Sequence, residues 1–297
     1  MILITGASGQ LGDSLQRLAR ARNLAHLAVS RPAFDFEHPE TIQSTFTASA
    51  PTIVINAAAY TAVDAAETNE PAAIAGNHTG PATLAALCAG ASIPFIHVST
   101  DYVFDGTKGA PYIETDPTNP TGIYGRTKRD GELAVQNACP NSIILRTSWV
   151  YSAHGKNFVR TMLNAARKTI SLRVVADQRG SPTAADDLAA TVLNLITTWK
   201  ETGWHESYQG IYHATGTGDT TWYDFARAIF ESAKTCGLTA PSITPISTAD
   251  WPTPAKRPPD SRLDCAKLET IFRERLPNWT ASLPAIVAKL LAPEHNP

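Results

Sequence analysis

The sequence predicts an α/β fold, a doubly wound parallel sheet of Rossmann type joined to a smaller C-terminal lobe. Three observations predict it. Short, almost wholly apolar runs alternate with helical stretches through the first half, the pattern of parallel strands buried under helices on both faces. A glycine-rich turn, Gly6-Ala7-Ser8-Gly9-Gln10-Leu11-Gly12, follows the first apolar run and opens the first helix. Beyond about Trp149 the alternation weakens and prolines and tryptophans become denser.

Taken in order, the runs at 2–4, 25–29, 53–56, 95–99 and 143–146 read as strands, and 11–22 and 72–90 as helices. Segment 172–175 reads as one more strand of the same sheet, with 184–198 a helix returning to it. The expected division is therefore discontinuous. Residues 1–148, with return segments around 170–198, make the nucleotide-binding domain, and 149–297 make mainly the smaller, substrate-binding lobe. The stretch Trp251-Pro252-Thr253-Pro254-Ala255-Lys256-Arg257-Pro258-Pro259 cannot continue a helix. Residues 292–297 are expected to be disordered.

Composition excludes several classes. With 297 residues, 43% of them hydrophobic, the chain can bury a large core. Its 25 basic and 27 acidic residues leave a formal charge of -2, so no broad cationic surface meets a phosphate backbone or an anionic bilayer. Neither nucleic acid nor membrane is expected as a partner. Cys88, Cys139, Cys236 and Cys265 are far apart, with no CxxC pair and no histidine at metal-ligand spacing. They read as reduced thiols, and no metal site is expected. No leader-like segment and no membrane-length apolar run is visible, which makes the cytoplasm the expected location.

The glycine turn has the context that lets backbone N–H groups approach a pyrophosphate at a helix N-terminus. Gly6, Gly9, Gln10, Leu11 and Gly12 are the candidate contacts. At the end of the second strand, where an acid usually holds an NAD ribose, stand Ser30 and Arg31. A hydroxyl and a guanidinium there favour NADPH, with NADH still open and an ordinary surface role for Arg31 as the alternative. Asp35 and Phe36 are placed to flank the adenine. Asn56-Ala57-Ala58-Ala59, ending the third strand, offers small residues to a flat cofactor, or simply tight strand–helix packing.

Tyr124-Gly125-Arg126-Thr127-Lys128 sets a phenol and an ammonium at i and i+4, on one face of a helix. A phenol is a poor proton donor at neutral pH, and a nearby ammonium is expected to lower its pKa. Of the eight tyrosines only Tyr124 has a lysine four residues later. Ser99-Thr100-Asp101 closes the fourth apolar run, where a doubly wound sheet presents its active site. The Thr100 hydroxyl can donate to a ketone oxygen as charge develops on it.

Together these residues resemble the extended short-chain dehydrogenases, and finer strings resemble the dTDP-4-dehydrorhamnose reductase family over nearly the whole chain. The strings are 56–64 (NAAAYTAVD), 99–106 (STDYVFDG), 146–151 (RTSWVY), 177–183 (DQRGSPT), Arg257-Pro258 and Ser261-Arg262-Leu263. The resemblance implies NADPH-dependent reduction of the C4 ketone of dTDP-4-dehydro-β-L-rhamnose. It implies Tyr124 as general acid, Lys128 as its partner and ribose ligand, and Thr100 as the polarising hydroxyl. It also implies that Asp101 and Trp149 touch the sugar nucleotide, and that Gly9, Gln10, Leu11, Asp35, Phe36 and Ala57, Ala58 and Ala59 touch the cofactor. A core role for Trp149 stays open. Arg257 and Arg262 suit a diphosphate, since arginine binds phosphate bidentately, with surface cations as the alternative. Some family members form a magnesium-linked dimer through acidic side chains; here Ser14 stands where such an acid is expected, so neither that metal nor that dimer is predicted, and a homodimer of another kind is left open. The competing readings are another nucleotide-sugar reductase or epimerase, and a reductase-like regulatory subunit of the methionine adenosyltransferase β type. Ser30-Arg31 argues against the NAD-bound epimerases.

Overall fold

The computed structural model describes residues 1–292; the tail expected to be disordered lies, from residue 293 on, outside the described residues. Six parallel strands form the central sheet: β1 (Ile2–Thr5), β2 (His26–Val29), β3 (Ile53–Asn56), β4 (Phe95–Thr100), β5 (Ser142–Thr147) and a later strand, Gly210–His213. Their order is β2-β1-β3-β4-β5 followed by Gly210–His213. The order reverses between β1 and β3, and ligands of doubly wound sheets bind beside such a switch point, at the carboxyl ends of the strands.

Five of the expected strands are there, and one is corrected. Segment 172–175 lies in a strand, β6 (Ser171–Val175), but pairs in parallel with Ser242–Ile246 in a separate two-stranded sheet. Its residues alternate between exposed and covered, unlike the fully buried runs of the centre. The sixth central place goes instead to Gly210–His213, designated β7, against β5. Its Tyr212 and His213 gave no apolar signature, although both are buried.

Helices α1 (Gln10–Ala21) and α6 (Ala185–Thr202) cover one face of the sheet. Leu188, Val192, Leu195 and Ile196 of α6 share a core with Leu11 and Leu15 of α1 and with the strand residues Ile4 and Ile55. The other face is covered by α2 (Pro39–Ser49), α3 (Gly80–Gly90) and α4 (Ile123–Ala138), with Leu84, Ala85 and Val135 packed against Leu3, Val54 and Phe95. A second core joins α5 (Phe158–Ala166), α7 (Trp222–Lys234) and α8 (Trp279–Leu291) around Phe225, Ile229 and Leu283. All four cysteines are free, with Cys88 and Cys139 buried. No helix among the described residues is long and apolar enough to cross a membrane.

Candidate active site

A cavity of about 610 Å³ opens along the carboxyl ends of the central strands. At one end the glycine turn shapes it. Gly6 adopts φ +74°, and a Cβ there would lie 2.7 Å from the Ala57 backbone; a Cβ on Gly12 would lie 2.0 Å from the Gly6 carbonyl. Both positions demand glycine so that β1, β3 and α1 can meet. Gly6, Gly9, Gln10 and Leu11 line the cavity, as do Ser30, Arg31, Asp35, Phe36 and the three alanines, whereas Gly12 does not. Gly12 serves packing beneath the turn.

At the other end stand Thr100, Asp101, Tyr124, Lys128 and Trp149. Tyr124 sits in the first turn of α4 and Lys128 one turn later. Two glycines let this helix come close. A Cβ on Gly125 would lie 2.1 Å from the Tyr102 carbonyl, and one on Gly131 would lie 1.9 Å from the Asn77 carbonyl. Asn77 belongs to a π-helical turn, Ala75–Thr79, leading into α3. Its side chain accepts from the Tyr60 N–H and donates to the Tyr60 carbonyl and the Thr127 hydroxyl. Further along α4, Glu132 forms a buried ion pair with Arg146 of β5 at 2.7 Å and accepts a 2.5 Å hydrogen bond from Ser99.

The electrostatics differ from the expectation that Lys128 lowers the phenol. Burial pushes Tyr124 up to about 12, while the Thr100 hydroxyl acts in the opposite direction. Burial also brings Lys128 down to about 8, offset in part by Glu132. Both groups are in low dielectric, where desolvation outweighs their mutual influence. The Lys128 ammonium donates to the Val98 carbonyl at 2.7 Å, which directs it toward the cavity floor. Thr100 accepts the Tyr102 N–H at 3.2 Å and donates to Asp101 at 3.1 Å. Asp101 is itself pushed up to about 6 by burial, and its Oδ2 has no hydrogen-bond partner.

Trp149 takes φ +46° and stacks face to face on Trp222 at 3.5 Å. A Cβ on Gly180 would come within 2.5 Å of the Trp149 ring, so this indole is a cavity wall backed by packed structure. Arg257 and Arg262 do not line the cavity. Arg257 is paired with Asp64 at 2.8 Å and Arg262 with Asp260 at 2.6 Å. Ser14 is buried and donates to Asp186. Among the described residues no cluster of three metal-ligating side chains occurs.

Several lining residues lie outside the site residues named from the sequence. Tyr102 packs edge-on against Tyr124 at 5.5 Å, and Thr147, Gly155 and Lys156 also line the cavity. His97 and Asn56 lie just beneath it, hydrogen-bonded to each other at 2.9 Å. Strand register alone brings these two together.

Known proteins resemble this chain over nearly its whole length. The family model for the RmlD substrate binding domain matches residues 1–292. The chain is 44% identical over 290 residues to a dTDP-4-dehydrorhamnose reductase of Sinorhizobium fredii, covering 98% of this chain and 97% of that protein. A crystal structure of a dTDP-4-dehydrorhamnose reductase from Clostridium acetobutylicum superposes with a TM-score of 0.90 at 37% identity, covering 98% and 99% of the two chains. One from Bacillus anthracis, solved in complex with NADP, superposes with a TM-score of 0.88 at 32% identity, covering 96% and 97%. The chain therefore belongs to the RmlD substrate-binding family, alongside the dTDP-4-dehydrorhamnose reductases.

Proposed function

We propose that the protein is an NADPH-dependent reductase that converts the C4 ketone of dTDP-4-dehydro-β-L-rhamnose to the alcohol, giving dTDP-β-L-rhamnose in the last step of that sugar nucleotide's synthesis. The observation that carries this is the convergence of Thr100, Tyr124 and Lys128 on the cavity whose far end is the glycine turn. Bound NADPH supplies the hydride. Thr100, anchored by the Tyr102 N–H, donates to the ketone oxygen, and Tyr124 delivers the proton to the alkoxide as charge develops. A buried phenol held up to about 12 keeps its proton until an alkoxide, which is more basic, asks for it. Lys128 holds the ribose and restores the phenol.

In the proposed pose the glycine turn meets the diphosphate, Ser30 and Arg31 meet the 2′-phosphate, and Asp35 and Phe36 flank the adenosine. Asp101 and Trp149 contact the sugar nucleotide. Arg257 and Arg262, held by carboxylates away from the wall, shape the loop that frames it. The reading places the enzyme in the cytoplasm, where NADPH is kept reduced; sedimentation of the purified protein decides between monomer and homodimer.

The test is NADPH oxidation with dTDP-4-dehydrorhamnose generated in situ, comparing the wild type with Tyr124→Phe. Loss of about 10²–10⁴ in kcat with NADPH affinity retained is the expected result. A wild type that binds NADPH yet turns over no sugar nucleotide would sink the assignment and favour a regulatory subunit.

A further inference from the structure

The C-terminal ends of β1 and β3 and the middle of β4 carry a line of polar side chains that reaches Lys128 from below. Thr5 is in register with Asn56, and Asn56 with His97. All three are essentially inaccessible to solvent, as is Lys128. Asn56 Oδ1 accepts from the Ala58 backbone N–H at 3.1 Å and from the Thr5 hydroxyl at 2.6 Å. A backbone N–H can only donate, so this end of the amide is the oxygen, and the other end, Nδ2, faces His97 Nδ1 at 2.9 Å. An amide NH₂ has only donors to offer. His97 Nδ1 must therefore be the acceptor, which excludes the imidazolium and selects the neutral tautomer with its proton on Nε2.

That Nε2–H is 3.5 Å from Lys128 Nζ. Facing an ammonium, it sets donor against donor. Facing a neutral amine, it donates to the nitrogen lone pair. We propose that His97 is a positioning residue whose Nε2–H, locked in place by Asn56, opposes the Lys128 ammonium and makes it a readier proton donor. Burial acts in the same direction on both partners: His97 is held well below its ordinary range, and Lys128 is brought down. The titratable groups facing Lys128 are the neutral His97 from β4 and, on its own helix, the Tyr124 phenol and the Glu132 carboxylate, the last paired with Arg146 of β5. The consequence is a balanced proton step: Nζ gives H⁺ to the Tyr124 phenolate left after reduction, the lone pair of the amine that remains accepts a hydrogen bond from Nε2–H, which stays on His97, and solvent then restores the Nζ proton.

The inference rests on the proposed pairing of Tyr124 with Lys128, but its first test needs no turnover. In imidazole nitrogen and carbon NMR of the ligand-free protein, with His97 assigned by its loss in His97→Gln, we expect the neutral Nε2–H tautomer to persist from about pH 5 to 9. An Nδ1–H tautomer or a cation at neutral pH overturns the proposal, whatever the enzyme reduces. The second test compares two variants. His97→Gln keeps an N–H at the same reach from the backbone, and His97→Leu removes it. The Lys128 titration midpoint, followed by its side-chain NMR signal, is expected to rise about one unit in His97→Leu, tenfold in proton affinity, and to stay in place in His97→Gln. The basic limb of the kcat profile should move with it while the KM for NADPH holds. Equal changes in both variants, or an unmoved midpoint in His97→Leu, would mark a purely structural role. If His97→Leu does not fold, the tautomer of the wild type decides.

Discussion

The carboxyl of Asp101 is raised by burial from its ordinary 3.8 to about 6. Between those values the folded protein holds a proton that the unfolded chain has released, so the group's contribution is fully present below about pH 4 and is lost as pH rises through about 6. Asp101→Asn should therefore raise the unfolding free energy by on the order of 1–3 kcal/mol at pH 8 and by less than about 1 kcal/mol at pH 4, while sugar reduction falls. Denaturant melts at the two pH values check this; equal effects at both would contradict it. Arg31 lines the cavity and has no ion-pair partner among the described residues. Arg31→Ala should raise the KM for NADPH about tenfold and leave that for NADH within twofold, the loss of one exposed charge-assisted contact, read from initial rates with each cofactor. Residues such as Tyr124, Lys128 and Thr100 were legible in the sequence because the chemistry dictates both their type and their place after a strand or along a helix. The contact of His97 with Asn56 was not, because 41 residues separate them and only the pairing of β3 with β4 makes them neighbours.

Elements were legible to the degree that apolar residues dominate them. Five of the six strands of the central sheet read directly for that reason. β6 was placed in the wrong sheet, since a short apolar run carries no record of its partner, and β7 was overlooked because its buried Tyr212 and His213 are polar at the tip. The approach of α4 to the π turn was equally silent, since a glycine in a sequence does not say what stands against it. Gly131→Ala should displace α4 from Asn77, where the added Cβ would meet the carbonyl at 1.9 Å. The expected cost is about 1–3 kcal/mol in stability, with a larger fall in kcat than in NADPH affinity, because Tyr124 rides on the same helix. A variant as stable and active as the wild type would show that the contact relaxes freely.

Across the whole molecule, Gln10 ties the glycine turn to the second core. Its Oε1 accepts from Ser152 and Asn157, both at 3.0 Å, and its Nε2 donates to the Val150 carbonyl at 3.3 Å. His154 adds a 3.0 Å contact with the Ser8 carbonyl. The cavity therefore has one wall from each half of the chain, and a cofactor lying in it should bind them together. Gln10→Leu should lower stability by about 1–3 kcal/mol for the lost hydrogen bonds, and saturating NADPH should raise its Tm by less than in the wild type, since weaker binding gives a smaller linked gain. Differential scanning calorimetry with and without NADPH measures both; an undiminished shift would place the cofactor's hold elsewhere. None of this coupling was visible in the sequence, where Gln10 and Asn157 are 147 positions apart.

The pair formed by Trp149 and Trp222 has an optical consequence. Indoles parallel to within 7° at 3.5 Å couple their excited states, and an in-plane rotation of one ring against the other turns that coupling into a paired positive and negative band in circular dichroism. One of the two rings, Trp149, is a wall of the cavity. The edge-on pair Trp199 and Trp204, 5.1 Å apart in the other core, should stay constant when that wall is touched. The protein thus carries its own dye and its own reference: the band pair should vanish in Trp222→Phe and change on addition of dTDP alone, reporting occupancy without a single hydride being transferred.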